Sequence, residues 1–114
     1  LSERIEACIG DTTELAAEML TFVTGDDVFE AGGMLVHKPT QETIATHANP
    51  LTDLNAIAAL EREYGKLPLQ IQISHNNLAA VMWEHGSRRD WTTAPTEALA
   101  RSAALVRALE VSRD

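Results

Sequence analysis

Between residues 67 and 74 the chain alternates strictly: Leu67, Leu69, Ile71 and Ile73 are apolar, and Pro68, Gln70, Gln72 and Ser74 stand between them. That period of two predicts a strand with one buried face. Asn76-Asn77 follows as a two-residue turn, since asparagine tolerates positive φ better than most residues. "LAAVMWEH" then returns as the partner strand, and Gly86-Ser87 turns the chain into "RRDWTT", a third strand. On both sides of this meander the period becomes helical. Leu54, Ile57, Ala58 and Tyr64 form the inner face of a helix capped by Thr52 or Asp53 and stopped by Gly65. The last helix carries Pro95 in its first turn and buries Ala98, Leu99, Ser102, Leu105, Val106 and Leu109 along one stripe.

The first half is patterned more loosely. In "GDTTELAAEMLTFV", Asp11 is the expected helix cap, Glu14 completes a capping box, and Leu15, Met19, Phe22 and Val23 share a face. "LSERIEACI" before it is a weaker helix, interrupted by Gly10. Gly32-Gly33 lies between two short apolar runs, as in a tight hairpin, and Lys38-Pro39 ends the second run because proline cannot donate to a ladder. "QETIATHANP" reads as a further strand and a loop. The expected fold is a single α+β domain over residues 1–114. Helices cover an antiparallel sheet of a hairpin plus a three-strand meander, in the order α-ββ-α-βββ-α.

Composition and charge narrow the function classes. The chain is 45% hydrophobic and 23% charged, a globular and not a disordered balance. Its single cysteine, Cys8, excludes an intrachain disulfide and a cysteine-cluster zinc site. No apolar run reaches the roughly 20 residues needed to span a membrane, and "LSERIEACIGDTTE" lacks the order of a signal peptide. A cytoplasmic setting is the expectation. Residues 1–50 hold nine acidic side chains against Arg4 and Lys38, a net of −7, whereas eight acidic and seven basic residues leave the remainder at −1. Such an acidic half repels phosphate backbones, so direct nucleic-acid binding is not expected. An acidic face drawn from Glu14, Glu18, Asp26 and Asp27, docking on a basic protein surface, is.

Candidate chemistry is sparse. With Asn76-Asn77 at the turn, His75 and His85 lie eight or so strand residues apart, roughly 25 Å, and share no site. Ser74 and His75 point to opposite faces of a strand. Cys8 sits among Glu3, Glu6 and Asp11, surroundings that oppose a thiolate. His37, Glu42 and His47 make a weak two-histidine, one-carboxylate candidate if the runs that carry them pair. No phosphate-cradling or nucleophile motif occurs, so no catalytic residue and no cofactor is expected. Arg88 and Arg89 beside Trp91 form a second candidate contact patch, because Arg and Trp are enriched at binding hot spots; they equally protect a strand edge.

Helix, three strands and helix is also the order of double-stranded-RNA-binding domains. Those need a basic cluster at the start of the last helix, where "TAPTEALARS" offers only Arg101 beside Glu97. A closer resemblance lies in Trp83, the step Thr93-Ala94-Pro95, and the helix residues Ala100, Arg101, Ala103, Ala104 and Leu105. On these, residues 51–110 resemble the phage ABA-sandwich domain family. That resemblance implies phage or prophage origin and a helix–sheet–helix sandwich, and it supplies no catalytic residues. The expected function is therefore that of a small phage or prophage accessory protein working by protein–protein contact, an acidic inhibitor on a basic host surface being the concrete form. The alternatives are a homo-oligomeric phage assembly part, and a small-molecule-binding domain or enzyme built on His37, Glu42 and His47.

Overall fold

The computed structural model describes residues 1–8, 10–44, 49–65, 68–74, 78–85 and 88–113. Among the described residues there are four helices, α1 (Ser2–Glu6), α2 (Thr13–Thr24), α3 (Leu54–Tyr64) and α4 (Glu97–Arg113), and six strands, three after α2 and three after α3. The strands are β1 (Val28–Ala31), β2 (Met34–His37), β3 (Glu42–Ile44), β4 (Gln70–Ile73), β5 (Ala79–His85) and β6 (Arg88–Ala94). The α+β class and the expected order hold, with the short α1 in front and β3 extending the hairpin. The strands form two separate antiparallel sheets, β1-β2-β3 and β4-β5-β6.

Local chemistry explains most boundaries. Gly32 and Gly33 take φ of 60° and 81°, so Ala31 pairs with Met34 across a two-residue turn whose twist matches the strands. Asp53 caps α3 by accepting from the N–H groups of Asn55 (2.8 Å) and Ala56 (3.4 Å), and Gly65 closes it in the left-handed region. Helix α2 departs from expectation: its N-cap is Thr12, and Asp11 accepts from the Thr13 N–H (3.0 Å) and hydroxyl (2.8 Å) one residue earlier. Pro95 lies outside α4 and not in its first turn; Thr96 Oγ1 there accepts from the Leu99 N–H at 3.2 Å.

Helix α4 is the centre of the molecule. It buries Ala98, Leu99, Ala100, Ser102, Ala103, Ala104, Leu105, Val106, Ala108 and Leu109, far more than the single stripe expected. It lies on β5 and β6 and also meets α1, α2 and α3, so nearly every face has a neighbour. Its alanines permit that close approach, and the Ser102 hydroxyl donates to the Pro50 carbonyl at 2.9 Å. One contiguous core joins Ile5, Met19 and Val23 of the first half to Ile57, Val81, Trp83 and Leu105 of the second.

Two expectations about burial fail. Leu54, assigned to the inner face of α3, is exposed, and Glu61 takes the inner position one turn beyond Ile57. Strand β4 has no buried residue. Its apolar residues do share one face, but α4 covers that face only over β5 and β6. Periodicity was right about the face and silent about its cover.

Candidate functional site

The acidic residues of the first half separate into those the fold employs and those it leaves outward. Glu6 pairs with Arg107, joining α1 to α4. Burial raises the Glu6 pKa, the Arg107 charge opposes that, and Glu3 and Asp90 add to it. Asp11 is held below the usual carboxylate range by the Thr13 N–H and then its hydroxyl. Asp26 turns to His37, with Oδ2 3.0 Å from Nε2. What remains is a groove of about 670 Å³ between α2 and β1, lined by Glu14, Ala17, Glu18, Thr21, Phe22, Asp27, Val28, Phe29 and Glu30.

Helix spacing and strand geometry build this groove. Glu14, Glu18 and Thr21 are three or four residues apart and stand on one face of α2. Thr21 ties that face to the edge of β1: its Oγ1 donates to the Val28 carbonyl and accepts from the Val28 N–H, both at 3.0 Å. The floor is apolar, with Phe22 partly buried and Phe29 38% exposed. The rim holds four carboxylates. Arg4 forks onto Glu18 (3.2 and 2.6 Å) and Lys38 reaches Asp27 at 3.3 Å. Both are solvent-exposed pairs, which are worth little and exchange readily for a competing cation. Glu30 accepts from the Gly33 N–H at 2.7 Å.

Of the sequence candidates, Glu14, Glu18 and Asp27 converge here and Asp26 does not. Phe22, Phe29 and Glu30 were missed; the signal that would have found them is the position of β1 directly after α2, which folds the two against each other. The second patch is partly assembled. Trp91 is half-exposed on the edge strand β6, and Arg89 Nε donates to Glu84 Oε2 at 2.6 Å. Arg88 stands opposite His85 in the ladder, and its side chain lies outside the described ones.

The His37–Glu42–His47 candidate is only half testable. His37 and Glu42 face each other across β2 and β3, while His47 lies outside the described residues. Both ring nitrogens of His37 are engaged, Nδ1 with Thr40 Oγ1 at 2.9 Å and Nε2 with Asp26. Among the described residues no three His, Cys, Asp or Glu side chains are grouped as metal ligands. His75 and the Asn76-Asn77 and Gly86-Ser87 turns also lie outside them.

A second concavity, about 520 Å³, lies between the starts of α3 and α4 and is lined by Cys8, Thr12, Leu51, Leu54, Pro95 and Leu99 among others. Most polar groups around it are already committed. Thr12 Oγ1 accepts from Asn49 Nδ2, Thr96 Oγ1 from Leu99, and Glu97 from Arg101. That leaves little to orient a ligand, so the acidic groove is the better functional candidate.

No protein-family model matches the chain, and neither a curated protein nor a solved structure is similar to it. Among the described residues no helix is long and apolar enough to cross a membrane.

Proposed function

We propose that this chain works by protein–protein contact, with the α2–β1 groove receiving a basic segment of a partner that also carries an apolar side chain. The observation that carries this reading is the combination of Glu14, Glu18, Asp27 and Glu30 around a floor containing Phe22 and Phe29. Carboxylates alone would make only a salt-sensitive cloud; an aromatic floor adds a desolvated contact of the kind that dominates binding energy. Lysine or arginine side chains of the partner displace Arg4 and Lys38 from their exposed pairs, while an apolar residue beside them covers Phe29.

The resemblance of residues 51–110 to small phage proteins supports an accessory role for a phage or prophage, within the cytoplasm of a bacterial host. Charge selects the kind of partner: a protein with a basic surface, as nucleic-acid-directed machinery presents. The acidic chain then competes with the nucleic acid for that surface.

The test is a binding isotherm with the captured partner at two salt concentrations, for the wild type and for Glu14→Gln/Asp27→Asn/Glu30→Gln. Weaker binding at higher salt, with a smaller salt dependence in the variant, is the expected result. Equal affinity and equal salt dependence in both proteins would refute the reading.

A further inference from the structure

Three edges of the two sheets are managed and one is not. Strand β1 is clasped by Thr21 of α2, β3 begins with Glu42, and β6 carries Arg88, Arg89 and Asp90. Charge and cover of this kind stop edges from pairing with other chains. Strand β4, the other edge of the second sheet, reads Gln-Ile-Gln-Ile, with no charge and no internal proline. It lies in residues 67–82, a stretch without Asp, Glu, Lys or Arg in a chain of net charge −8. Ile71 and Ile73 stay 37% and 55% exposed on the face that α4 covers over the neighbouring strands, and Leu69, whose N–H bonds the Met82 carbonyl just before the strand, is 52% exposed.

We infer that β4 is the pairing edge for a second copy of this chain. The hydrogen-bond phase of the strand fixes which residues face the open edge. Ser74 donates its N–H to Leu78 across the β4–β5 ladder, and the pairs Gln72↔Ala80 and Gln70↔Met82 continue it at the period of two. Residues 70, 72 and 74 therefore turn their backbone groups inward to β5, and Ile71 and Ile73 turn theirs to the open edge. An antiparallel copy related by a two-fold axis through Gln72 places Ile71 opposite Ile73 of the second copy, and Ile73 opposite its Ile71. Each of those pairs exchanges two backbone hydrogen bonds, so the open groups of both strands are satisfied together. The four isoleucines then meet on one face, and the two Gln72 amides meet on the other as a non-hydrogen-bonded pair.

This arrangement is self-complementary in hydrogen bonding, side-chain face and charge, as a two-fold interface requires. The net charge of −8 makes copies repel on average, and β4 adds no charge of its own to that repulsion. The result is one six-stranded sheet with an α4 on each half.

Gln72 and Gln70 are both exposed polar positions on the same strand face, so substitutions there test register without disturbing the core. Solution mass measured by sedimentation over a range of concentrations should show a monomer–dimer equilibrium for the wild type. Gln72→Lys sets two like charges directly opposite and should weaken association roughly a hundredfold or more. Gln70→Lys meets Ser74 of the other copy and should leave association within about threefold. In a Cys8→Ser background, Gln72→Cys should oxidise to a covalent dimer and Gln70→Cys should not. A wild type that stays monomeric at the highest concentration, as it would if this edge served a strand of another protein, overturns the inference. So does a dimer indifferent to Gln72→Lys, or equal cross-linking at both positions.

Discussion

Glu61 and Arg101 meet across 40 residues of sequence, the carboxylate 2% exposed and the guanidinium 14%. Two bonds join them, and Arg101 Nη1 donates a third to Glu97 Oε2 at 3.0 Å. The Glu61 bond raises the already high Arg101 pKa against burial, so the cation persists. Removing the carboxylate by Glu61→Ala leaves the largely buried cation with Glu97 alone and is expected to lower unfolding free energy by about 3 kcal/mol in urea titrations. The double replacement Glu61→Leu/Arg101→Met should cost much less, because no charge is left buried. Nothing in the local sequence marks Glu61 as interior, since its partner lies on another helix. Glu6 gives a pH dependence of the opposite kind to an ordinary salt bridge. Its carboxyl is raised chiefly by burial, so its stabilising share is complete below the ordinary glutamate value and is lost as pH rises through the raised one. Denaturation midpoints between pH 4 and 7 should fall less steeply in Glu6→Gln than in the wild type. A steeper fall in the variant would show that Arg107 outweighs burial.

At the scale of elements, the chain's turn chemistry was legible and its layering was not. Gly32-Gly33, Asp53 and Gly65 each dictate one local geometry, and each is found where the sequence placed it. Gly33→Ala tests the hairpin. A methyl there would touch nothing within 4 Å, so its cost is conformational only, about 1 kcal/mol from φ of 81°. Thermal denaturation reads that loss, and Asp53→Ala should lower stability by a similar ~1 kcal/mol through loss of the α3 cap. By contrast, the alternation of β4 identified one shared apolar face, but alternation carries no information on which helix reaches it. The same gap explains the single stripe assigned to α4: Ala98 alone of its alanines was placed on it, although Ala100, Ala103, Ala104 and Ala108 are buried too, because three other helices and two strands pack there.

For the whole molecule, charge asymmetry foretold an acidic first half but not how that half is divided. Asp26 and Asp27 are neighbours in sequence, yet one closes on His37 and the other lines the groove. Glu6 and Asp11 are consumed by the fold, whereas Glu14, Glu18, Asp27 and Glu30 line the one groove. Phe29 was invisible as a site residue because a lone aromatic on a short strand reads as core. In the proposed interface it is the desolvated anchor, and Phe29→Ala should weaken partner binding by about 2 kcal/mol or more, near thirtyfold, by titration calorimetry. Capture from bacterial lysate with four tagged baits side by side, identified by mass spectrometry, tests the groove as the binding site. They are the wild type, Phe29→Ala, Glu14→Gln/Asp27→Asn/Glu30→Gln, and Trp91→Ala as a control on the opposite sheet. A basic protein should be retained by the wild type and Trp91→Ala at low salt and lost from both groove variants. Retention by the groove variants, or loss confined to Trp91→Ala, would contradict that assignment.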